Sequence, residues 1–249
     1  MTRRITQAVI LAGGRGERLR PLTDSLPKPM VPVNGRPFLE YLVNLLKRNG
    51  ITEIVLLLGY LPEKITAHFG DGSRFGVKIR YSIGAVEHET GTRVRNARGL
   101  LDEVFLLMYC DNYWPIDLAG MADHYDRSGL LGMMTVYNNR DGKGEYGYRN
   151  NVELSQDGHV LAYGHLPENS PTQGIDIGFF MFDKKAVDFL PQENCSIQYD
   201  LLPRLIGIQQ LSAYLTDEHY YTITSSELLK NVESYLSSRA PPAVTKMTE

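Results

Sequence analysis

The stretch LAGGRGERLRPLTDSLPKPM, Leu11 to Met30, limits what this chain can fold into more than any other. It follows a six-residue apolar run, QAVILA (Gln7–Ala12), and puts three glycines within four residues. Arg15, Arg18, Arg20 and Lys28 follow, the last held between Pro27 and Pro29. A short apolar run bounded by glycine is the pattern of a parallel strand buried on both faces. Glycines directly after such a strand let the backbone turn tightly and aim several N–H groups at one anion. Arg15 and Arg18 add planar donors that match phosphate oxygens. The two prolines stiffen the chain around Lys28, so its ammonium is delivered at little entropic cost. Two familiar phosphate-loop patterns do not fit. The Walker pattern needs lysine directly after its last glycine, and GxGxxG meets Leu19 where its third glycine belongs.

The totals bound the rest. With 249 residues, 43% of them hydrophobic and 22% charged, the chain can bury a real core as one domain. A net charge of −3 supplies no global basic field, which argues against a nucleic-acid partner. The apolar run at the N-terminus is too short for a signal segment or a membrane span. A cytoplasmic protein with no membrane partner is therefore expected. Cys110 and Cys195 are isolated and lack metal-ligand spacing, so they read as reduced thiols.

Periodicity predicts strands at 7–12, 53–59, 77–83, 104–111 and about 130–137, alternating with helices at 37–49, 62–69 and 118–128. That alternation predicts an α/β fold, a Rossmann-like, mostly parallel sheet flanked by helices. Ligands on such sheets bind beyond the carboxyl ends of the strands. Both the glycines and Asp111 stand at such ends. The second half predicts a hairpin around Gln156-Asp157-Gly158, a strand at 174–183, a helix at 196–207 and a short strand at 220–223. A capping box at 224–227 is expected to open the final helix. The expected layout is a single domain over 1–237, with a nucleotide-binding half at 1–137 and an acceptor half at 138–237 as a smaller mixed lobe. Residues 238–249 read as a mobile tail.

LAGGRGERLRPLTDSLPKPMVPVNGRPFLEYLVNLL resembles the signature of the sugar-1-phosphate nucleotidylyltransferases, and GYLPEKITAHFGDG, ETGTRVRNA, FLLMYCDN, YGYRNNVELSQDGHV and IDIGFFMF follow in that family's order. The likeness is to the short bacterial branch that activates heptose-, mannose- or N-acetylmuramate-1-phosphate. It implies that a sugar 1-phosphate attacks the α-phosphorus of a nucleoside triphosphate and expels pyrophosphate, with Mg²⁺ as cofactor, for surface-glycan synthesis. Carried over by position, Gly13, Gly14 and Gly16 hold the triphosphate, Arg15 and Arg18 meet the pyrophosphate, and Lys28 meets the α-phosphate. Asp111 holds the metal. Gly91 lies against the base, with Leu11 and Ala12 lining its pocket. Tyr146, Gly147 and Asp176 belong to the sugar half. A homo-oligomer is compatible with the resemblance.

Three positions depart from the family pattern. Thr222 stands where a second metal-binding carboxylate is usual, and a hydroxyl is a poorer ligand for Mg²⁺. His165 and Leu166 replace the Glu-Lys pair whose lysine meets the sugar phosphate. Arg93 stands where a small residue is usual, with two roles open to it: filling space near the base, or meeting that phosphate in place of the lysine, as His165 is also expected to. All three fall on the sugar and metal side. They leave open a nucleotide-binding relative without turnover, and a cytidylyltransferase for a non-sugar phosphate such as phosphocholine.

Overall fold

The structure is a computed structural model that describes residues 4–140, 142, 144, 150–166 and 173–239. In chain order its elements are β1 (Gln7–Ala12), β2 (Pro32–Val33), β3 (Arg36–Pro37), α1 (Phe38–Arg48), β4 (Glu53–Leu58), α2 (Pro62–Phe69), β5 (Lys78–Ile83), α3 (Thr90–Asn96), β6 (Val104–Tyr109), β7 (Asn112–Tyr113), α4 (Leu118–Ser128) and β8 (Gly132–Tyr137). Then come β9 (Val152–Leu154), β10 (Val160–Tyr163), β11 (Gln173–Asp183), α5 (Leu202–Gly207), β12 (Leu211–Thr216), β13 (Tyr221–Thr222) and α6 (Ser226–Ser238).

Strands β5, β4, β1 and β6 lie side by side, all parallel. The long β11 runs antiparallel beside β6, and β8 and β12 continue the sheet beyond it. The start of β11 instead pairs with β9, which carries β10 as a hairpin. Side chains alternate between two cores. Ala8, Ile10 and Ala12 of β1 face one together with the buried side of α1, while Val9 and Leu11 face the other with Val94 of α3 and Leu202 and Leu205 of α5. This is the period-two reading of a strand buried on both sides.

The parallel register is what builds a site. Ala12 pairs with Leu58, Leu58 with Ile83, and Leu11 with Tyr109, so four strands end at one level. The glycine loop, Gly59, the 84–89 turn and Asp111 therefore emerge together at one edge of the sheet.

Local signals for the first half hold, including Gly50 in the left-handed region just past α1 (φ 83°). Three local readings need correction, and α3 is a helix outside those predicted. Leu211–Thr216 is a strand that the pattern does not announce, because its pairing with β8 decides it. The cap of α6 is Ser225, whose hydroxyl accepts from the Leu228 N–H at 3.3 Å; Thr224 is engaged elsewhere. The predicted 196–207 helix begins as a π-helical turn, Ile197–Leu201, before α5.

Leu42 of α1 is fully buried and seats the helix on the sheet. Leu42→Ala is expected to lower unfolding free energy by about 2–5 kcal/mol in urea titration, as large-to-small core changes do. A loss below about 1 kcal/mol would contradict the packing described.

Candidate active site

Gly16 adopts the left-handed conformation (φ 67°), and a Cβ there would stand 2.9 Å from Lys28 Cβ. Only glycine lets the loop turn this way with Lys28 so close. The Gly16 carbonyl accepts from Thr23 Oγ1 (2.9 Å) and the Leu19 N–H (3.0 Å), which closes the loop on itself. Lys28 opens a short 3₁₀ turn through Met30 and is only 8% exposed. A buried ammonium needs partners. Its Nζ donates to Asp111 Oδ2 at 2.5 Å and to Thr224 Oγ1 at 3.3 Å.

Two clefts adjoin at this pair. The larger, about 550 Å³, lies over the glycine loop and is closed on the far side by Val86–Thr90, with Tyr109 and Cys110 in its floor. The smaller, about 390 Å³, lies between the ends of β6 and β11 and the β9–β10 hairpin. Arg18, Tyr109 and Asp111 line both. Arg18 and Asp111 therefore border both spaces.

Most sequence-predicted residues gather here. Leu11, Gly13, Gly14, Gly16, Arg18, Lys28, Arg93 and Asp111 line the larger cleft, and Asp176 the smaller. Gly14 faces open space, with no atom within 4 Å of where its Cβ would be. Others stand differently. Ala12 is buried in the core. Arg15 lies with its guanidinium 5.5 Å from the Tyr60 ring centroid and 3.7 Å from Glu87, outside the lining residues. Gly91 does not line the larger cleft, and a Cβ there would meet Leu190 at 2.8 Å and the Cys195 carbonyl at 2.9 Å. His165 is exposed and does not line the smaller cleft. Arg93 is buried on the glycine-loop side, where it lines the larger cleft and not the smaller. Tyr146 and Gly147 lie outside the described residues.

Thr222 does not open onto either cleft. It is fully buried, with its hydroxyl 3.1 Å from the Asp111 carbonyl and 2.8 Å from Thr224 Oγ1. Among the described residues no group of three or more His, Cys, Asp or Glu side chains stands together as a metal cage. Asp111, one-fifth exposed to the clefts, is the carboxylate that two substrate-sized spaces share.

Beside Asp176, which was expected there, the smaller cleft has residues that sequence reasoning did not find. A register shift in β11, with Gly178 at φ 78°, turns Asp176 toward the cleft; its carboxylate accepts from the Gly178 N–H (2.8 Å) and Tyr163 Oη (3.1 Å). Asn112 donates to the Ile177 carbonyl at 2.9 Å, and its buried Oδ1 has no hydrogen-bond partner among the described residues. Asn151, Gln198 and Tyr220 complete a wall of acceptors and hydroxyls. The one usable signal was topological: β9 and β10 had to lie beyond the end of β6.

Burial pushes the Asp176 carboxyl up to about 6, against its two hydrogen bonds, which pull it down. A carboxylate raised from its ordinary 3.8 binds protons more tightly folded than unfolded, so its contribution to stability falls as pH rises between about 4 and 6. Asp176→Asn is therefore expected to be more stable than wild type at pH 7.5, by up to about 3 kcal/mol, with the gap closing toward pH 4. A pH-independent gap would show that burial is not what governs this group.

Comparison with known proteins agrees with the geometry. The profile of the Nucleotidyl transferase family matches residues 7–227. A D-glycero-α-D-manno-heptose 1-phosphate guanylyltransferase from Aneurinibacillus thermoaerophilus is 36% identical over 227 residues, covering 87% of this chain and 92% of that protein. A mannose-1-phosphate guanylyltransferase from Mycobacterium tuberculosis is 32% identical over 80% of this chain, but the chain spans only 55% of its length. It spans the same share of a Synechocystis UTP–glucose-1-phosphate uridylyltransferase, at 29% identity. The crystal structure of HddC from Yersinia pseudotuberculosis superposes with a TM-score of 0.77 over 93% of this chain and all of that one, at 23% identity. At that identity the likeness is one of fold. A profile running almost end to end, and a relative above one-third identity along nearly its whole length, establish that this chain belongs to the nucleotidyl transferase family.

Proposed function

We propose that the protein is a sugar-1-phosphate nucleotidylyltransferase, joining a nucleoside triphosphate and a sugar 1-phosphate to give an NDP-sugar and pyrophosphate for glycan synthesis. The observation that supports this best is the meeting of two clefts at Arg18, Tyr109 and Asp111, with Lys28 on Asp111. Two ligands side by side, with cations at the junction, are what phosphoryl-type transfer needs, because its catalysis is mostly positioning and charge neutralisation.

On this reading the triphosphate lies over the glycine loop and meets its backbone N–H groups. The acceptor's phosphate oxygen forms the new bond to the α-phosphorus, while the bond to the β-phosphate oxygen breaks and pyrophosphate leaves with that electron pair. Arg18 meets negative charge on either side of the reacting centre, and Lys28 lies against the α-phosphate. Asp176, Asn112 and Tyr163 suit the hydroxyls of a sugar, since two of the three offer acceptor oxygens. The usual sugar-phosphate lysine is absent, and Arg18 is the cation of the described lining that takes its place.

Members of this family are generally dependent on a divalent metal. The donor set here fits Mg²⁺, which is commonly held by one or two carboxylates with phosphate oxygens and water completing its shell. Asp111 would hold it, and the ion would supply neutralisation of phosphate charge. Guanine as the base and a heptose 1-phosphate as acceptor are favoured by a 36%-identical relative matched nearly end to end, over a 28%-identical one matched as fully and named a probable glucose-1-phosphate cytidylyltransferase; a mannose-1-phosphate guanylyltransferase at 32% identity favours guanine with a hexose 1-phosphate.

The buried Thr222 hydroxyl, where a second carboxylate is usual, favours one other reading: a nucleotide-binding relative without turnover, serving as a sensor or partner subunit. Mg²⁺-dependent pyrophosphate release separates the two. GTP, CTP, UTP, ATP and dTTP are crossed with mannose-, glucose-, heptose- and N-acetylhexosamine-1-phosphates and phosphocholine. The expected outcome is turnover with GTP and a heptose or mannose 1-phosphate, and loss of about 100-fold or more in kcat/KM for Arg18→Ala and Asp111→Ala with the fold intact. Turnover with CTP and phosphocholine would replace the acceptor proposed here. Silence across the panel with triphosphate binding intact would establish the binding reading.

A further inference from the structure

Arg93 carries a charge into a place where it is only 6% exposed. Its guanidinium is spent on main-chain carbonyls: Nη1 donates to Leu58 (2.7 Å), and Nη2 to Ala85 (2.9 Å), Val86 (3.1 Å) and Gly13 (3.3 Å). These acceptors belong to three separate segments, namely the end of β4, the turn after β5 and the first residue of the glycine loop. Among the described residues no carboxylate lies within ion-pair distance of it. Such a cation is costly to bury unless what it holds together needs it.

The glycines around it are not equivalent. A Cβ on Gly13 would overlap the guanidinium, and its three nearest atoms are all Arg93's. A Cβ on Gly59 would lie 2.6 Å from both Nη1 and Nη2. Gly13 is not in the left-handed region, so its backbone would accept alanine. Gly14, one residue on, faces the open cleft instead.

We propose that Arg93 is a positioning residue of the nucleotide cleft. It fixes the start of the glycine loop, the end of β4 and the 85–86 turn relative to one another, and Gly13 is glycine in order to admit the guanidinium, not the ligand. The inference rests on the nucleotidyltransferase reading. It assigns one of the chain's departures from its family pattern to the triphosphate side, where sequence reasoning leaves it open between the base and the acceptor phosphate.

A mutant cycle on the full chain tests it, with a fluorescent GTP analogue as the binding probe and thermal unfolding run beside it. Gly13→Ala is expected to weaken binding about 10-fold in wild type but less than about 2-fold in the Arg93→Ala background, which is the non-additivity of residues in contact. Arg93→Ala should raise the nucleotide KM about 10-fold and leave the acceptor KM within about 2-fold, and Arg93→Lys, unable to span four carbonyls, should not restore it. If Gly13→Ala alone fails to fold, the double variant is expected to fold and to melt like Arg93→Ala. An equal cost of Gly13→Ala in both backgrounds, or failure to fold in both, would overturn the inference, because the glycine would then serve something other than Arg93. A rise in acceptor KM alone would also overturn it. A wild-type chain that binds no triphosphate at all would overturn the nucleotidyltransferase reading itself.

Discussion

The contact between Lys28 Nζ and Asp111 Oδ2 is the constraint on which the rest of the site depends. It ties the end of the glycine segment to the end of β6, and Thr224 and Thr222 extend the tie to the strand before α6. Without a carboxylate at 111 the ammonium would be nearly buried and unpaired, a state that proteins avoid. Without the 3₁₀ turn at Lys28 the lysine would not reach it. Gly16 is left-handed and Pro29 lies within that turn, so the loop's backbone is shaped around this one approach. The two clefts share their wall here because the pair sits where the parallel strands stop.

That location follows from topology more than from any motif. Four parallel strands in register deliver their following loops to one edge, and β11, running the opposite way beside β6, brings Asp176 to the same edge from the other half of the chain. The halves then differ in chemistry. The glycine-loop side offers N–H groups, Arg18 and Lys28, which suit anions, while the β11 side offers a carboxylate, an amide oxygen without a partner among the described residues and tyrosine hydroxyls, which suit a polyol. Under the proposed reaction this division explains why the family's triphosphate pattern is complete while its sugar-phosphate lysine is dispensable: Arg18 lines both spaces.

Much of this was legible in the sequence, and the failures share a cause. The glycine loop, the clamped lysine and Asp111 were legible because strand-end position and backbone freedom are local properties. The orientations of Arg93 and Thr222 and the packing around Gly91 were not, because a residue's place in a motif does not say what surrounds it in the fold. Gly91 packs against Cys195, Arg93 turns back under the loop, and Thr222, standing where a second carboxylate is usual, bonds the Asp111 carbonyl. Leu211–Thr216 escaped notice because its strand character comes from its pairing with β8. Thr224 read as a cap because its spacing allowed it, yet Ser225 caps and Thr224 receives Lys28.

The central claim is that two ligands meet directly across the Lys28–Asp111 junction, with no covalent stop on the protein. The stereochemical course at the α-phosphorus tests it most directly, using GTP with sulfur in one configuration at that atom and the acceptor that supports turnover. A single in-line displacement between adjoining clefts predicts inversion in the NDP-sugar formed. Retention would require two displacements through a nucleotidyl-enzyme, and would contradict the account.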